Sequence, residues 1–128
     1  MRLTMPGHLE LLKTLSVRTG TFTLASGKTS DFYVDVRQTS LHAQGCIAIA
    51  RAILDRLDPT IVAVGGMTLG ADPLACSTAT LAGIEGRPLH AFIVRKQPKG
   101  HGVEQLVVGR GNLPDGARVA VLEDTTTT

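Results

Sequence analysis

Two adjacent carboxylates and a run of hydroxyl residues follow a short apolar segment near the end of the sequence. Residues 118–122, RVAVL, lead into Glu123 and Asp124, and four hydroxyl residues come next: Thr125, Thr126, Thr127 and Thr128. A continuous apolar run is typical of a buried parallel strand, and ligands of open α/β sheets bind beyond the carboxyl ends of such strands. Carboxylates can hold ribose hydroxyls, directly or through a divalent cation, and a tight loop of small residues can surround a phosphate. The pattern predicts a sugar-phosphate site, and its alternative is an ordinary strand end followed by a hydroxyl-rich turn.

A second group of charged residues follows another apolar run, Phe92–Val94. Three cations and an imidazole lie within seven residues: Arg95, Lys96, Lys99 and His101. Such a cluster makes a strong anion site, and the glycines beside it allow the backbone to move. The alternative is a basic loop that is exposed to solvent and binds no ligand. The Gly- and charge-rich stretch from Arg95 to Asp115 is longer than a compact connection, which predicts a mobile functional arm with Leu106–Val108 as a short strand.

Two further segments carry turn and loop signals. In the first, Ser26-Gly27 predicts a turn, and the alternation of residues 32–37 predicts a half-buried strand in which Phe32 packs into the core or against its edge. In the second, Ile61–Val64 is a buried-strand run followed by the Gly-rich sequence GGMTLGADP. Asp72 before Pro73 has the residue types of an N-cap and a first helical position, and the backbone amides of such a loop can accept an anion.

Together these four segments resemble the orotate phosphoribosyltransferases of the type I phosphoribosyltransferase family. The similarity rests on the early F-x-L-x-S-G hairpin, the G-G-x-T-L-G-A-D-P loop, the R-K-x-x-K-x-H-G pattern and the apolar strand followed by Glu-Asp-Thr, and it covers roughly residues 8–128. It implies an α/β fold with a parallel sheet flanked by helices and an N-terminal helix and hairpin hood. It also implies transfer of a phosphoribosyl group from phosphoribosyl pyrophosphate (PRPP) to orotate, giving orotidine monophosphate and pyrophosphate in pyrimidine (UMP) biosynthesis.

The resemblance assigns roles to individual residues. The residues implied in catalysis are Lys96, Lys99, His101 and Asp124. Those implied in PRPP binding are Arg95, Lys96, Lys99, His101, Glu123, Asp124, Thr125, Thr126, Thr127 and Thr128. Those implied in binding the base are Lys28 and Tyr33, and those of the pyrophosphate loop are Gly66, Met67 and Thr68. The family also implies Mg²⁺ carried by PRPP without a metal site made of protein groups alone, and a homodimer whose active sites are shared between subunits.

The chain departs from the family pattern at two positions and at its end. Ala25 and Leu69 stand where many members carry lysine, so the basic segment would have to supply more of the positive charge. Family members continue beyond Thr128 with glycines, a further helix and strand, and an arginine for the orotate carboxylate. We therefore expect these residues to be the front part of a longer chain and a poor catalyst alone. A phosphoribosyltransferase for another base and a non-catalytic PRPP-sensing regulator remain the alternatives.

Composition agrees with one domain over residues 1–128, with an N-terminal helix and hairpin at about 8–37 and an α/β core at about 41–128. The 128 residues are 43% hydrophobic and carry a net charge of only +2, which predicts a packed core and no nucleic-acid partner. We expect Cys46 and Cys76 to be buried thiols, and the other histidines to be structural: His8, His42 and His90. No signal peptide or membrane-spanning run is visible, so a cytoplasmic protein without a membrane partner is expected.

Apolar spacing predicts helices at about 8–18, 41–57 and 72–81. Apolar runs predict strands at about 61–64, 89–94 and 118–122. Alternation of strands and helices predicts a parallel α/β sheet covered on both faces.

Overall fold

The computed structural model describes residues 6–97 and 106–126. The chain opens with helix α1 (His8–Leu15), followed by an antiparallel hairpin of strands β1 (Val17–Thr23) and β2 (Thr29–Val34). The helix was expected to continue to residue 18 but ends at Leu15. The following VRTGTFT sequence is rich in β-branched residues, which favour a strand, and its Gly disfavours further helix.

The turn of the hairpin is confirmed. Leu24 N–H donates to the Lys28 carbonyl at 2.8 Å, Gly27 N–H donates to the Leu24 carbonyl at 2.9 Å, and Gly27 has a φ of +85° that favours glycine. Of the two positions expected for Phe32, the core is wrong, because 53% of its surface is exposed. Most positions of this two-stranded ribbon face solvent on both sides, so alternation of residue type does not produce a buried face.

A one-turn helix α2 (Arg37–Ser40) links the hairpin to helix α3 (Ala43–Arg56), which confirms the predicted long helix with a start two residues later. The delay has a local cause in His42. Its Nδ1 accepts hydrogen bonds from Gln44 N–H at 3.1 Å and Gly45 N–H at 3.2 Å, so the imidazole caps α3 from outside the helix.

A four-stranded sheet forms the rest of the fold. Its strands are β3 (Ala63–Met67), β4 (His90–Val94), β5 (Val107–Val108) and β6 (Val119–Val121), in the order β5-β4-β3-β6. Strand β3 runs parallel to β4 and β6, whereas β5 is antiparallel to β4. Helix α4 (Ala71–Ile84) connects β3 to β4. The predicted α/β fold, with a mostly parallel sheet flanked by helices, is confirmed, as is a short strand at residues 107–108.

The core lies between the sheet and the two long helices. Its buried residues are Leu54 from α3, Val64 from β3, Ala75 and Ala82 from α4, and Leu89 before β4. The opposite face is less covered, because Val121 is 75% exposed. The expected cover on both faces therefore does not extend to β6 in the described part of the chain.

Both cysteines differ from expectation. Cys46 is only partly buried and Cys76 is exposed, because they lie at the outer edges of α3 and α4 and not on the core-facing stripes. No helix among residues 6–97 and 106–126 combines the length and the apolar character that a bilayer crossing requires.

Candidate active site

Three of the predicted site segments lie at one edge of the sheet. Strands β3, β4 and β6 are parallel, so their carboxyl ends at Met67, Val94 and Val121 lie at the same edge. The Gly-rich loop, the start of the basic segment and the acid pair follow these three strands directly. In parallel α/β sheets this edge is where ligands bind.

The loop between β3 and α4 is fixed to its neighbours through Thr68. The Thr68 N–H donates to the Val94 carbonyl at 3.0 Å, and the Thr68 hydroxyl donates to Asp72 Oδ2 at 2.9 Å. The peptide bond between Thr68 and Leu69 is cis. Leu69 projects outward with 61% of its surface exposed. The loop thus joins the end of β4 to the first turn of α4.

Asp72 does not have the predicted role of N-cap. Helix α4 begins at Ala71, with Gly70 as its N-cap residue, and no side chain caps it. The carboxylate of Asp72 lies in the first turn and accepts the Thr68 hydroxyl hydrogen instead. The spacing of four residues between the Thr68 hydroxyl and the Asp72 carboxylate, across the start of the helix, could have indicated this contact from the sequence.

Glycines allow the acid pair to approach the loop closely. The Leu122 N–H donates to the Gly65 carbonyl at 2.7 Å, which holds β6 against β3 just before the acids. A methyl group on Gly70 would lie 2.6 Å from Cγ of Asp124, closer than any ordinary contact. The sequence assigned Gly66 and Met67 to the loop, but both lie in strand β3, which pairs as far as Met67. It did not single out Gly70, where the absence of a side chain leaves room for Asp124.

The acid pair also organises its own backbone. Asp124 Oδ1 accepts the Thr125 N–H at 2.8 Å, and Glu123 Oε1 accepts the Asp124 N–H at 3.1 Å. Asp124 is half-buried, whereas Glu123, Thr125 and Thr126 are exposed. Thr127 and Thr128 lie outside the described residues.

The basic segment starts at the same edge of the sheet, on the other side of β3 from the acid pair. The Arg95 N–H donates to the Leu106 carbonyl at 2.8 Å, which brings the two flanks of the segment together. Among the described residues, neither Arg95 nor Lys96 has a carboxylate within 4.0 Å, so both charges are available to an anion. Lys99 and His101, which were expected to cover the pyrophosphate, lie outside the described residues.

The hairpin residues that were predicted to hold a base are solvent-exposed. Tyr33 is 43% exposed and its ring lies 5.7 Å from that of Phe22, at an interplanar angle of 36°. Lys28 is exposed beside the turn. The described contacts do not bring either residue to the acid pair, so their role in base binding stays a prediction.

A cavity connects the end of the hairpin to the Gly-rich loop. Its volume is about 520 Å³, and it is lined by Asp35, Arg37, Gln38, Leu41, His42 and Leu69. Hydrogen bonds from the Gln38 side chain and from Arg37, together with the positive charge of Arg37, hold the pKa of Asp35 below its ordinary value, and partial burial opposes them. The ionised carboxylate of Asp35 thus ties α2 to the end of β2.

The oxygen atoms at this edge suit a hard cation such as Mg²⁺. Glu123 and Asp124 supply carboxylates, and Asp72 Oδ1 is enclosed without a hydrogen-bond partner among the described residues. No group of three or more His, Cys, Asp or Glu side chains is placed to hold a metal within the described ranges. That PRPP carries Mg²⁺ to these oxygens stays a prediction.

No family model matches the chain, but individual proteins do. An orotate phosphoribosyltransferase from Nostoc sp. is 45% identical over 120 residues, which span 94% of this chain and 58% of the relative. The crystal structure of Mycobacterium tuberculosis H37Rv orotate phosphoribosyltransferase in complex with Fe(III) dicitrate superposes with a TM-score of 0.75 at 42% identity, covering 94% of this chain and 67% of that one. The chain belongs to the orotate phosphoribosyltransferase family.

The match extends to a ligand-bound member of the family. The Mycobacterium tuberculosis enzyme in complex with PRPP superposes with a TM-score of 0.67 at 37% identity, covering 94% of this chain and 64% of that one. The chain spans between 58% and 64% of the length of orotate phosphoribosyltransferases such as those from Nostoc sp. and Mycobacterium avium. Membership of the family agrees with the mostly parallel sheet flanked by helices.

Proposed function

We propose that the protein of which these residues form part transfers the phosphoribosyl group of PRPP to orotate, in pyrimidine biosynthesis. The observation that carries the proposal is that an acid pair, a Gly-containing loop and two cations without a carboxylate partner among the described residues lie at the carboxyl edge of a parallel sheet. The names of the relatives support orotate as the acceptor.

In this reaction the bond between the anomeric carbon and the pyrophosphate oxygen breaks, and a bond to a ring nitrogen of the base forms. Positive charge develops on the ribose and negative charge on the leaving group. We propose that Glu123 and Asp124 hold the ribose hydroxyls and that residues 125–128 hold the 5′-phosphate. Two carboxylates beside the ribose also favour the positive charge that develops there, because opposite charges attract strongly in a partly dry site.

The leaving group would be met by cations. Arg95 and Lys96 lie where β4 ends, and Lys99 and His101 follow within the same segment. Positive groups that are already oriented when the charge develops lower the barrier, because they do not have to reorganise. A bound Mg²⁺, carried by PRPP and contacted by oxygens of this edge, would add charge neutralisation on the pyrophosphate.

Three further parts of the proposal come from the family resemblance. They are a homodimer with active sites shared between subunits, a cytoplasmic location, and base contacts from Lys28 and Tyr33. A non-catalytic PRPP-sensing regulator would not need a basic segment such as that from Arg95 to His101, so this cluster favours an enzyme.

The decisive experiment measures pyrophosphate release by the protein in its full natural length, with PRPP and a panel of bases. We expect release that depends on orotate and not on adenine, guanine or uracil. If another base alone supports pyrophosphate release, that base and not orotate is the acceptor. If the protein binds PRPP but releases no pyrophosphate with any base, it is a regulator and not an enzyme.

A pair of matched variants tests the acid pair. Asp124→Asn should weaken PRPP binding, because one charge beside the ribose is lost. Asp115→Asn is the control, since Asp115 precedes β6 at its opposite end and pairs with Arg110 at 2.7 Å on the surface. Equal PRPP affinities for the two variants, with only thermal stability changed, would show that Asp124 is merely part of a strand end.

A further inference from the structure

We propose that Asp72 is a positioning residue of this site, which fixes the Thr68 hydroxyl so that its oxygen faces the ligand as a hydrogen-bond acceptor. The inference rests on the proposed function and adds a role that the sequence pattern did not assign, because Asp72 was expected to cap α4. Thr68 was expected only to line the pyrophosphate loop.

The bonding of Thr68 leaves it with no free donor. A carboxylate can only accept, so the 2.9 Å contact between Thr68 Oγ1 and Asp72 Oδ2 uses the single hydrogen of the hydroxyl. The backbone N–H of Thr68 already donates to Val94 at 3.0 Å. What remains for a ligand is the lone pairs of Oγ1, which repel a phosphate oxygen and attract a hydrogen-bond donor.

Neighbouring groups of the loop between β3 and α4 would contact different parts of the ligand. Within the described residues, the N–H groups of Leu69 and Gly70 have no hydrogen-bond partner, so they can meet phosphate oxygens. Thr68 Oγ1 would meet a positively polarised donor that accompanies the pyrophosphate. This donor is either a water molecule held by a bound divalent cation or the ammonium group of a basic side chain.

A second observation points to the same conclusion. Asp72 Oδ1 is enclosed and has no hydrogen-bond partner among the described residues. Native proteins seldom leave an enclosed carboxylate oxygen unsatisfied, and one that is left so calls for an explanation beyond stability, such as a role at the site. The alternative is that Asp72 only stabilises the first turn of α4 through the helix dipole, which would require no contact with Thr68.

The test compares variants of the protein in its full natural length by calorimetry of PRPP binding, with and without Mg²⁺, and by steady-state kinetics. Thr68→Val and Thr68→Ala both remove the acceptor, so the result does not depend on one variant folding. We expect roughly tenfold weaker PRPP binding in each and a KM for PRPP raised by the same factor, as for the loss of one hydrogen bond to a charged group. Thr68→Ser should restore affinity to within about twofold, since the hydroxyl returns. Thr80→Val is the matched control, because the Thr80 hydroxyl bonds a helix carbonyl on the exposed side of α4.

Asp72→Ala frees the Thr68 hydroxyl to rotate, and we expect a loss of PRPP affinity similar to that of Thr68→Val. If Asp72 acts through Thr68, the double variant should bind PRPP no more weakly than Thr68→Val alone. Additive losses, or a loss in Asp72→Ala confined to thermal stability, would overturn the inference. A loss seen only with Mg²⁺ would identify a metal-bound water as the donor, and a loss under both conditions would identify a basic side chain.

Different results would refute the proposed function and the proposed role of Asp72. An unmodified protein that binds no PRPP would refute the proposed function and the inference together. An unmodified protein that binds PRPP, with Thr68 variants of unchanged affinity, would refute the inference alone.

Discussion

Replacing Gly70 with alanine should damage ligand binding while leaving the fold intact. Gly70 has a φ of −64° and a ψ of −39°, values that alanine adopts without strain. The added methyl group would nevertheless lie 2.6 Å from Cγ and 2.8 Å from Oδ2 of Asp124. The obstacle is therefore a single carboxylate that can rotate away.

The size of the effect follows from these distances. Ordinary van der Waals contact begins near 3.4 Å, so the Asp124 carboxylate must move by about 1 Å. A misplacement of that order weakens an oriented site by up to roughly a hundredfold, or about 2.7 kcal/mol. The free energy of unfolding should change by no more than about 1 kcal/mol, because the lower chain entropy of unfolded alanine offsets the crowding.

The assay is PRPP binding by calorimetry, paired with thermal unfolding, and Gly83→Ala is the control. Gly83 lies in the same helix with nothing within 4 Å of an added methyl group, so this change should raise stability by roughly 0.5–1 kcal/mol and leave PRPP binding unaltered. In an Asp124→Asn background, Gly70→Ala should cost less affinity than it does alone, since the two changes act on one group. Full additivity, or unchanged binding in Gly70→Ala, would refute the reasoning.

Three further outcomes are expected. Lys99→Ala should lower turnover by roughly a hundredfold, the scale of one oriented charge, and unchanged turnover with orotate would contradict the role of the basic segment. Because the pKa of Asp35 is lowered in the folded state, its stabilising effect is present above the ordinary value of 3.8 and lost as pH falls below it, so Asp35→Asn should flatten the acid side of the stability profile measured by denaturant unfolding. Gly65→Ala should destabilise the fold by several kcal/mol, since its methyl group would lie 2.5 Å from the ring of Phe92 inside the sheet, and a normal thermal midpoint would contradict that packing.

The elements with the strongest patterns were predictable. Helix α3 has a long apolar stripe, and β4 and β6 are continuous apolar runs, so their type and approximate extent follow from local sequence. The edge at which the site lies also follows, because residues after parallel strands must meet there. These features depend on periodicity and on sheet geometry, which the sequence expresses directly.

Other features depend on contacts that local patterns do not express. Phe32 is exposed because few other residues pack against the two-stranded ribbon that contains it. The local sequence does not indicate which face of a hairpin other elements will cover. Asp72 has the residue type of an N-cap, but a competing hydroxyl at Thr68 accounts for its position. The importance of Gly70 lies in a side chain 54 positions away, which only the folded chain reveals.

Among residues 6–97 and 106–126, β6 is the outermost strand on one side of the sheet. In this part of the chain its outer edge presents backbone donors and acceptors that β3 does not use, and the exposed side chain of Val121 lies beside them. An apolar edge of this kind is a template on which strands of other molecules can assemble, so we expect a form of the protein that leaves this edge uncovered to self-associate by added strands in concentrated solution. A charge at this edge should suppress such aggregation, and Val121→Lys compared with the unchanged chain by light scattering would measure it.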